Sequence, residues 1–199
     1  PIQFQHQARH GLREVLNTPD KKSASYLADM PMEIDDSHAD VVALQIANLA
    51  LRKRLKHRVR EQQGLSYSVA SWLVLHAHGA AAHWRVYASF APHNRTALES
   101  AIAEELTRFH ASGLTPEELK EALDEWLERT LQMRSDDKSL AFLINANLEK
   151  NRNFDWQAQQ EWRARQLTAA DVNRVIALYV PPHQWNQVVA GDFASTPER

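Results

Sequence analysis

Along residues 26–34 the apolar positions Tyr26, Ala28, Met30, Met32 and Ile34 recur at every second residue, the period that turns one side of a strand toward a core. The period then changes. Leu44, Ala47, Leu51, Leu55 and Val59 follow at steps of three and four, which predicts an amphipathic helix running to about Glu61, entered through N-cap oxygens at Asp36-Ser37 and stopped by Gly64. A strand is predicted over 67–75, and another where Trp84, Val86, Ala88 and Phe90 alternate with His83, Arg85, Tyr87 and Ser89. With a turn at His78-Gly79 these two form an antiparallel hairpin. From Asn94 onward the signals are helical. Thr115-Pro116-Glu117-Glu118 combines an N-cap, a proline at N1 and a capping-box glutamate, a strong helix start. Further helices are predicted over 136–149, 154–165 and 168–179, the last opened by Thr168-Ala169-Ala170-Asp171, before Pro181-Pro182 breaks the pattern and 187–190 gives a short strand.

Strands in neighbouring pairs with helices clustered afterwards predict an α+β fold of two layers, an antiparallel sheet with helices packed on one face, in preference to a parallel βαβ sheet. The chain has 199 residues and shows no internal repeat or flexible linker, so 1–199 reads as a single domain. Its opening at Pro1-Ile2-Gln3-Phe4, without an initiator methionine, makes it an expected fragment of a larger multidomain protein. At 44% hydrophobic and 24% charged residues the composition is that of an ordinary packed protein. The formal charge of −2 offers no whole-molecule attraction to nucleic acid or anionic lipid. The absence of cysteine removes disulfides, thiol nucleophiles and thiolate metal sites, and leaves the compartment unknown. No stretch approaches the roughly 18 apolar residues of a membrane span.

Ten histidines invite a metal search, yet neither H-E-x-x-H nor H-x-x-E-H occurs. The nearest cluster is His76, His78 and His83 on the hairpin, which reads mainly as a polar hairpin tip; no metal ligands are therefore assigned. No glycine-rich phosphate loop and no G-x-S-x-G elbow exists. Glu104-Glu105, Glu117-Glu118 and Glu121 sit among lysines and arginines and read as a solvated helix face. The run from Arg52 to Arg60 carries six cations besides His57. Its apolar positions Leu55 and Val59 keep the core period, so it reads as a basic wet face rather than a nucleic-acid site, which would bring interleaved aromatics.

The next segment is more specific. Arg60-Glu61-Gln62-Gln63-Gly64-Leu65-Ser66-Tyr67 places an arginine on the last helical turn and a tyrosine at the start of the following strand. Here the sequence resembles the pitrilysin/insulinase family of zinc metallopeptidases, the inverzincins, whose non-catalytic C-terminal-type domains carry an R-E-x-x-G-L-x-Y-like segment at such a junction. The likeness continues through Ser89-Phe90-Ala91-Pro92-His93-Asn94, the helix start around Thr115, Leu167 to Val172 and the closing Val188-Val189-Ala190-Gly191-Asp192-Phe193. Family members usually carry a glycine pair in the helix before the arginine, whereas Ala50 to Leu55 runs through without glycine; either residues present in relatives are absent here or the helix is continuous where relatives bend.

The resemblance implies a substrate-binding, chamber-forming domain of a bacterial zinc metalloendopeptidase. On this reading the zinc is bound by H-x-x-E-H in the parent's N-terminal domain, with no cofactor in this chain and no activity of the chain alone. It implies that Arg60 and Tyr67 act on a peptide or unfolded protein substrate at that zinc site, tyrosine toward the scissile carbonyl oxygen and arginine toward a neighbouring carbonyl. The expected partners are other domains of the same polypeptide and the substrate, with no nucleic acid and no membrane span. The full-length protein's location stays unknown, periplasmic or secreted. The alternative is a non-catalytic assembly or interaction domain on the same fold.

Overall fold

The computed structural model describes residues 10–76 and 79–194. A five-stranded sheet is built from β1 (Arg13–Asn17), β2 (Ala24–Met32), β3 (Ser66–Leu75), β4 (Ala82–Phe90) and β5 (Asn186–Gly191) in the order β1-β5-β2-β4-β3. All neighbours are antiparallel except β1 and β5. The helices are α1 (Val41–Leu55), α2 (Arg95–Ser112), α3 (Pro116–Ser135), α4 (Asp137–Leu148), α5 (Phe154–Gln166) and α6 (Ala169–Tyr179). They form the second layer, so the predicted α+β architecture holds.

The period-2 pattern explains the sheet. Trp84, Val86, Ala88 and Phe90 are fully buried under the helices together with Tyr26, Ala28 and Met30 of the paired strand. His83, Arg85 and Tyr87 lie on the other face, where Asp29 accepts from Arg85 Nε at 2.9 Å and lies 2.9 Å from His83 Nδ1. Burying an indole N–H requires a partner. Trp84 Nε1 donates to Ser71 Oγ at 2.8 Å, and Ser71 Oγ in turn donates to Asn48 Oδ1 at 2.7 Å, tying β4, β3 and α1 through one polar relay.

The predicted capping box is present at Thr115 with Glu118, and the predicted helix start at Thr168 is closed by a second box with Asp171. The start of α1 differs from the sequence reading. Asp40, not Asp36 or Ser37, is the N-cap residue. Asp36 instead receives Arg152 at 2.8 Å and Lys150, pinning the turn between α4 and α5 to the loop before α1. β1 was not predicted: all five of its residues are exposed, so no alternation marks it, and it is held by backbone pairing with β5.

Candidate functional site

Through Ala50 to Leu55, where the sequence carries no glycine, the helix is continuous, and its winding changes just beyond. α1 passes at Lys56 into a π-helical segment, Lys56–Gln62. Gln63 N–H bonds Arg58 O at 3.2 Å and Leu65 N–H reaches back to Val59 O at 2.9 Å, so the turn is wider than an α-turn. Val59 stays fully buried and anchors the segment. Gly64 ends it with φ +60, the left-handed conformation that glycine adopts without Cβ strain.

Arg60 lies on the exposed side of this segment. Tyr67 follows on β3, at a second irregularity: Ser66 pairs with Phe90 and Ser68 with Ser89, which leaves Tyr67 as the extra residue of a β-bulge. Its side chain is 59% exposed. Among the described residues neither the Arg60 nor the Tyr67 side chain has a hydrogen bond or ion pair, while the cations before Arg60 are all engaged. Arg54 donates to Glu118 at 2.6 and 2.5 Å and to Gly113 O at 2.6 Å. That pairing holds the Glu118 carboxyl below its ordinary range, against the opposing effect of its partial burial. Arg52 pairs with Glu125, Lys53 with Glu121, and Arg58 with Glu104.

Glu105 corrects the solvated-face reading of the helix carboxylates. It is fully buried, with Arg58 Nη1 at 3.4 Å, Arg54 Nη1 at 4.0 Å and Arg108 bonded to it. The basic run is therefore met by carboxylates of α2 and α3 instead of facing a phosphate. Nothing in local sequence marks Glu105 as different from Glu104; a step of one residue on a helix turns the side chain by about 100° and carries it from solvent to the α1 interface.

Of the histidine cluster, His78 lies outside the described residues. His83 is held by Asp29, and the His76 and His83 rings meet edge to face with centroids 6.2 Å apart. Among the described residues no three histidine, aspartate or glutamate side chains come together as metal ligands, so the donor set for a zinc ion is not found there. No described helix is long and apolar enough to cross a membrane.

The fold and sequence have clear relatives. The crystal structure of a peptidase M16 inactive domain from Pseudomonas fluorescens superposes with a TM-score of 0.82 at 16% identity over 100% of this chain and 46% of that one. The periplasmic protease PqqL from Escherichia coli gives 0.73 at 21% identity over 91% of this chain and 20% of its own. The ferredoxin protease FusC in complex with Arabidopsis ferredoxin gives 0.72 at 14% identity over 98% and 21%. The chain thus spans about half the length of the first and about a fifth of the other two. No curated protein sequence matches it. The profile of the family described as peptidase M16 inactive domain matches residues 1–125. With the M16-type fold continuing through the remaining helices, the chain belongs to the inactive-domain family of the M16 zinc proteases, the group its sequence resembles.

Proposed function

We propose that this chain is the substrate-binding, chamber-forming domain of a zinc metalloendopeptidase, presenting Arg60 and Tyr67 to a peptide held at a zinc site in another domain of the same polypeptide. The observation that carries this reading is the pair of backbone irregularities. Arg60 rides a π-turn and Tyr67 a β-bulge, joined by a glycine in the left-handed conformation. Each departure gives up regular hydrogen bonding to re-aim one side chain, and such departures concentrate where side chains are needed for function. Both side chains are exposed without partners among the described residues, in a stretch where every neighbouring arginine is engaged.

The chemistry suits the geometry. As a peptide carbonyl becomes tetrahedral its oxygen gains negative charge, and a phenolic O–H held on a rigid strand start stabilises that charge with little reorganisation. The Arg60 guanidinium donates to a second substrate carbonyl, one that keeps its charge through the reaction and so is bound in ground and transition state alike. Zinc, bound in the other domain, supplies the polarised water. The whole protein's substrate is a peptide or unfolded protein, and the likeness to a protease complexed with a protein and to one described as periplasmic supports such a substrate and a periplasmic location. The whole chain 1–199 serves as one domain of the longer protein.

The test is Arg60→Ala in the full-length polypeptide with a fluorogenic peptide. The reading expects KM to rise at least about tenfold with a smaller change in kcat, the pattern of a lost uniform contact. Unchanged KM and kcat would remove Arg60 from substrate binding.

A further inference from the structure

The segment Ser89-Phe90-Ala91-Pro92-His93-Asn94 is one of the stretches in which the family likeness lies, yet it has no part in the site described above. It leads from the end of β4 through a single turn of 3₁₀-helix, Pro92–Asn94, into α2. Phe90 and Pro92 are buried, and Asn94 N–H closes the turn on Ala91 O at 2.8 Å. Asn94 thus stands on a fixed part of the fold. It occupies the N-cap position of α2, where an asparagine ordinarily turns its side-chain oxygen onto the first free N–H groups of its own helix. Here it makes no such bond. Its side-chain amide donates instead to Leu65 O at 3.3 Å, a residue 29 positions away. A carbonyl has no proton to give, so it is the amide nitrogen that faces Leu65. An unused cap is a local loss of stability, and a residue that breaks a local rule for a distant contact marks a place where the fold serves a site.

Leu65 lies between the two backbone irregularities. Its N–H reaches back to Val59 O in the π-turn at 2.9 Å, and its C=O accepts from Asn94. Both peptide groups of this residue are therefore held. Two positions on, Tyr67 is the extra residue of the bulge, and the side chain of an unpaired bulge residue takes its aim from the backbone that leads into it. Arg60 is placed separately, upstream, by the π-turn and the buried Val59.

We propose that Asn94 is a positioning residue: by holding the Leu65 carbonyl it fixes the direction in which Tyr67 presents its hydroxyl, while Arg60 is placed independently of it. This rests on the catalytic role given to Tyr67 above. A division in the kinetics follows. Releasing the Leu65 carbonyl misdirects the donor to the developing oxyanion and so lowers kcat. The Arg60 contact, made in the ground state as well, stays in place and keeps KM.

The experiment compares Asn94→Ser and Asn94→Asp, with peptide kinetics on the full-length polypeptide and urea unfolding and hydrogen exchange on the chain. Serine and aspartate are both good N-caps, so α2 keeps its stability. Serine is too short to reach Leu65 O, and an ionised aspartate has no proton to donate to it. In both variants kcat falls roughly 10- to 10²-fold, the scale of a displaced catalytic group and less than the loss of the donor itself. KM changes by less than about twofold, and the urea midpoint does not fall. Amide exchange rises at residues 65–67 and stays as in the parent along the rest of β3. In a Tyr67→Phe background the same substitutions lower kcat no further, because the group they act through is gone. Parent-like exchange at 65–67, or the same loss of kcat with and without the Tyr67 hydroxyl, would overturn the proposal. So would a loss confined to Asn94→Asp, which would be an effect of its charge. A Tyr67→Phe enzyme with full kcat would sink the catalytic reading itself, whereas an impaired Tyr67→Phe enzyme beside fully active Asn94 variants would sink the positioning role alone.

Discussion

Replacing Glu105 by glutamine tests whether the buried carboxylate holds the helix that carries Arg60. The substitution keeps the shape and removes one charge from a site with no solvent access. The three guanidiniums around it do not count equally. Arg108 is 58% exposed, so water screens its pairing and little is lost there. Arg54 at 4.0 Å makes no hydrogen bond to Glu105 and keeps Glu118 and Gly113 O as partners. Arg58 is the sensitive neighbour, only 17% exposed and left with Glu104 on its solvent side. Removing one partner from a fully buried pair costs about 3–5 kcal/mol. Because Arg54 and Arg58 each retain a second carboxylate, the expected loss here is lower, about 2–3 kcal/mol, the scale of one or two hydrogen bonds to charged groups. Urea unfolding of Glu105→Gln against the parent chain measures this, and adding Arg58→Met in a double-mutant cycle should return a coupling of about 1–3 kcal/mol. Hydrogen exchange should rise first in residues 56–63. A loss under about 0.5 kcal/mol, with unchanged exchange there, would refute the claim that this carboxylate clamps the π-turn.

Other outcomes follow from the same structure. Burial pushes the Asp36 carboxyl up, but bonds from Arg152 and Lys150 outweigh it and hold its pKa below the ordinary 3.8; a group depressed in the folded state adds stability above its unfolded pKa and loses it as pH falls through the folded one. Asp36→Asn should therefore be less stable than the parent at pH 7, with the gap narrowing as pH falls below the ordinary aspartate value of about 3.9; parallel stability curves down to pH 2 would contradict it. Gly64→Ala meets no atom within 4 Å and pays only for φ +60, about 1–2 kcal/mol. Gly113→Ala, at φ +62, also drives its Cβ to 2.2 Å from the Asn173 amide, which holds both backbone groups of Leu114, so it should cost at least about 1 kcal/mol more in thermal or urea unfolding. Equal costs would show that Asn173 moves freely.

The features legible in the sequence are those whose cause is local. Alternation at 84–90 predicts the buried face of β4 because the pleat puts every second residue on one side, and the helix starts at Thr115 and Thr168 are legible because cap and partner are three residues apart. Arg60 and Tyr67 were singled out by a short segment for the same reason. What was hidden depends on distant partners. β1 is exposed throughout and exists through pairing with β5, at the other end of the chain. Asp36 has the local pattern of a helix cap, but its partners, Lys150 and Arg152, lie far along the chain. Glu105 differs from Glu104 only in what α1 places against it. The π-turn, too, is decided by the packing of Val59 and the carbonyl reached by Leu65 N–H, neither of which leaves a pattern in residue type.

The most direct test of the catalytic reading is the kcat of the full-length polypeptide carrying Tyr67→Phe, measured with a saturating peptide substrate. The substitution removes one hydroxyl and keeps the ring at a position that is 59% exposed, so the fold should be unaffected. If Tyr67 donates to the developing oxyanion, kcat falls by roughly 10²- to 10³-fold, the loss that follows deletion of one such donor, with kcat/KM falling alike. Wild-type kcat and kcat/KM would contradict the account and leave Tyr67 as an exposed strand aromatic.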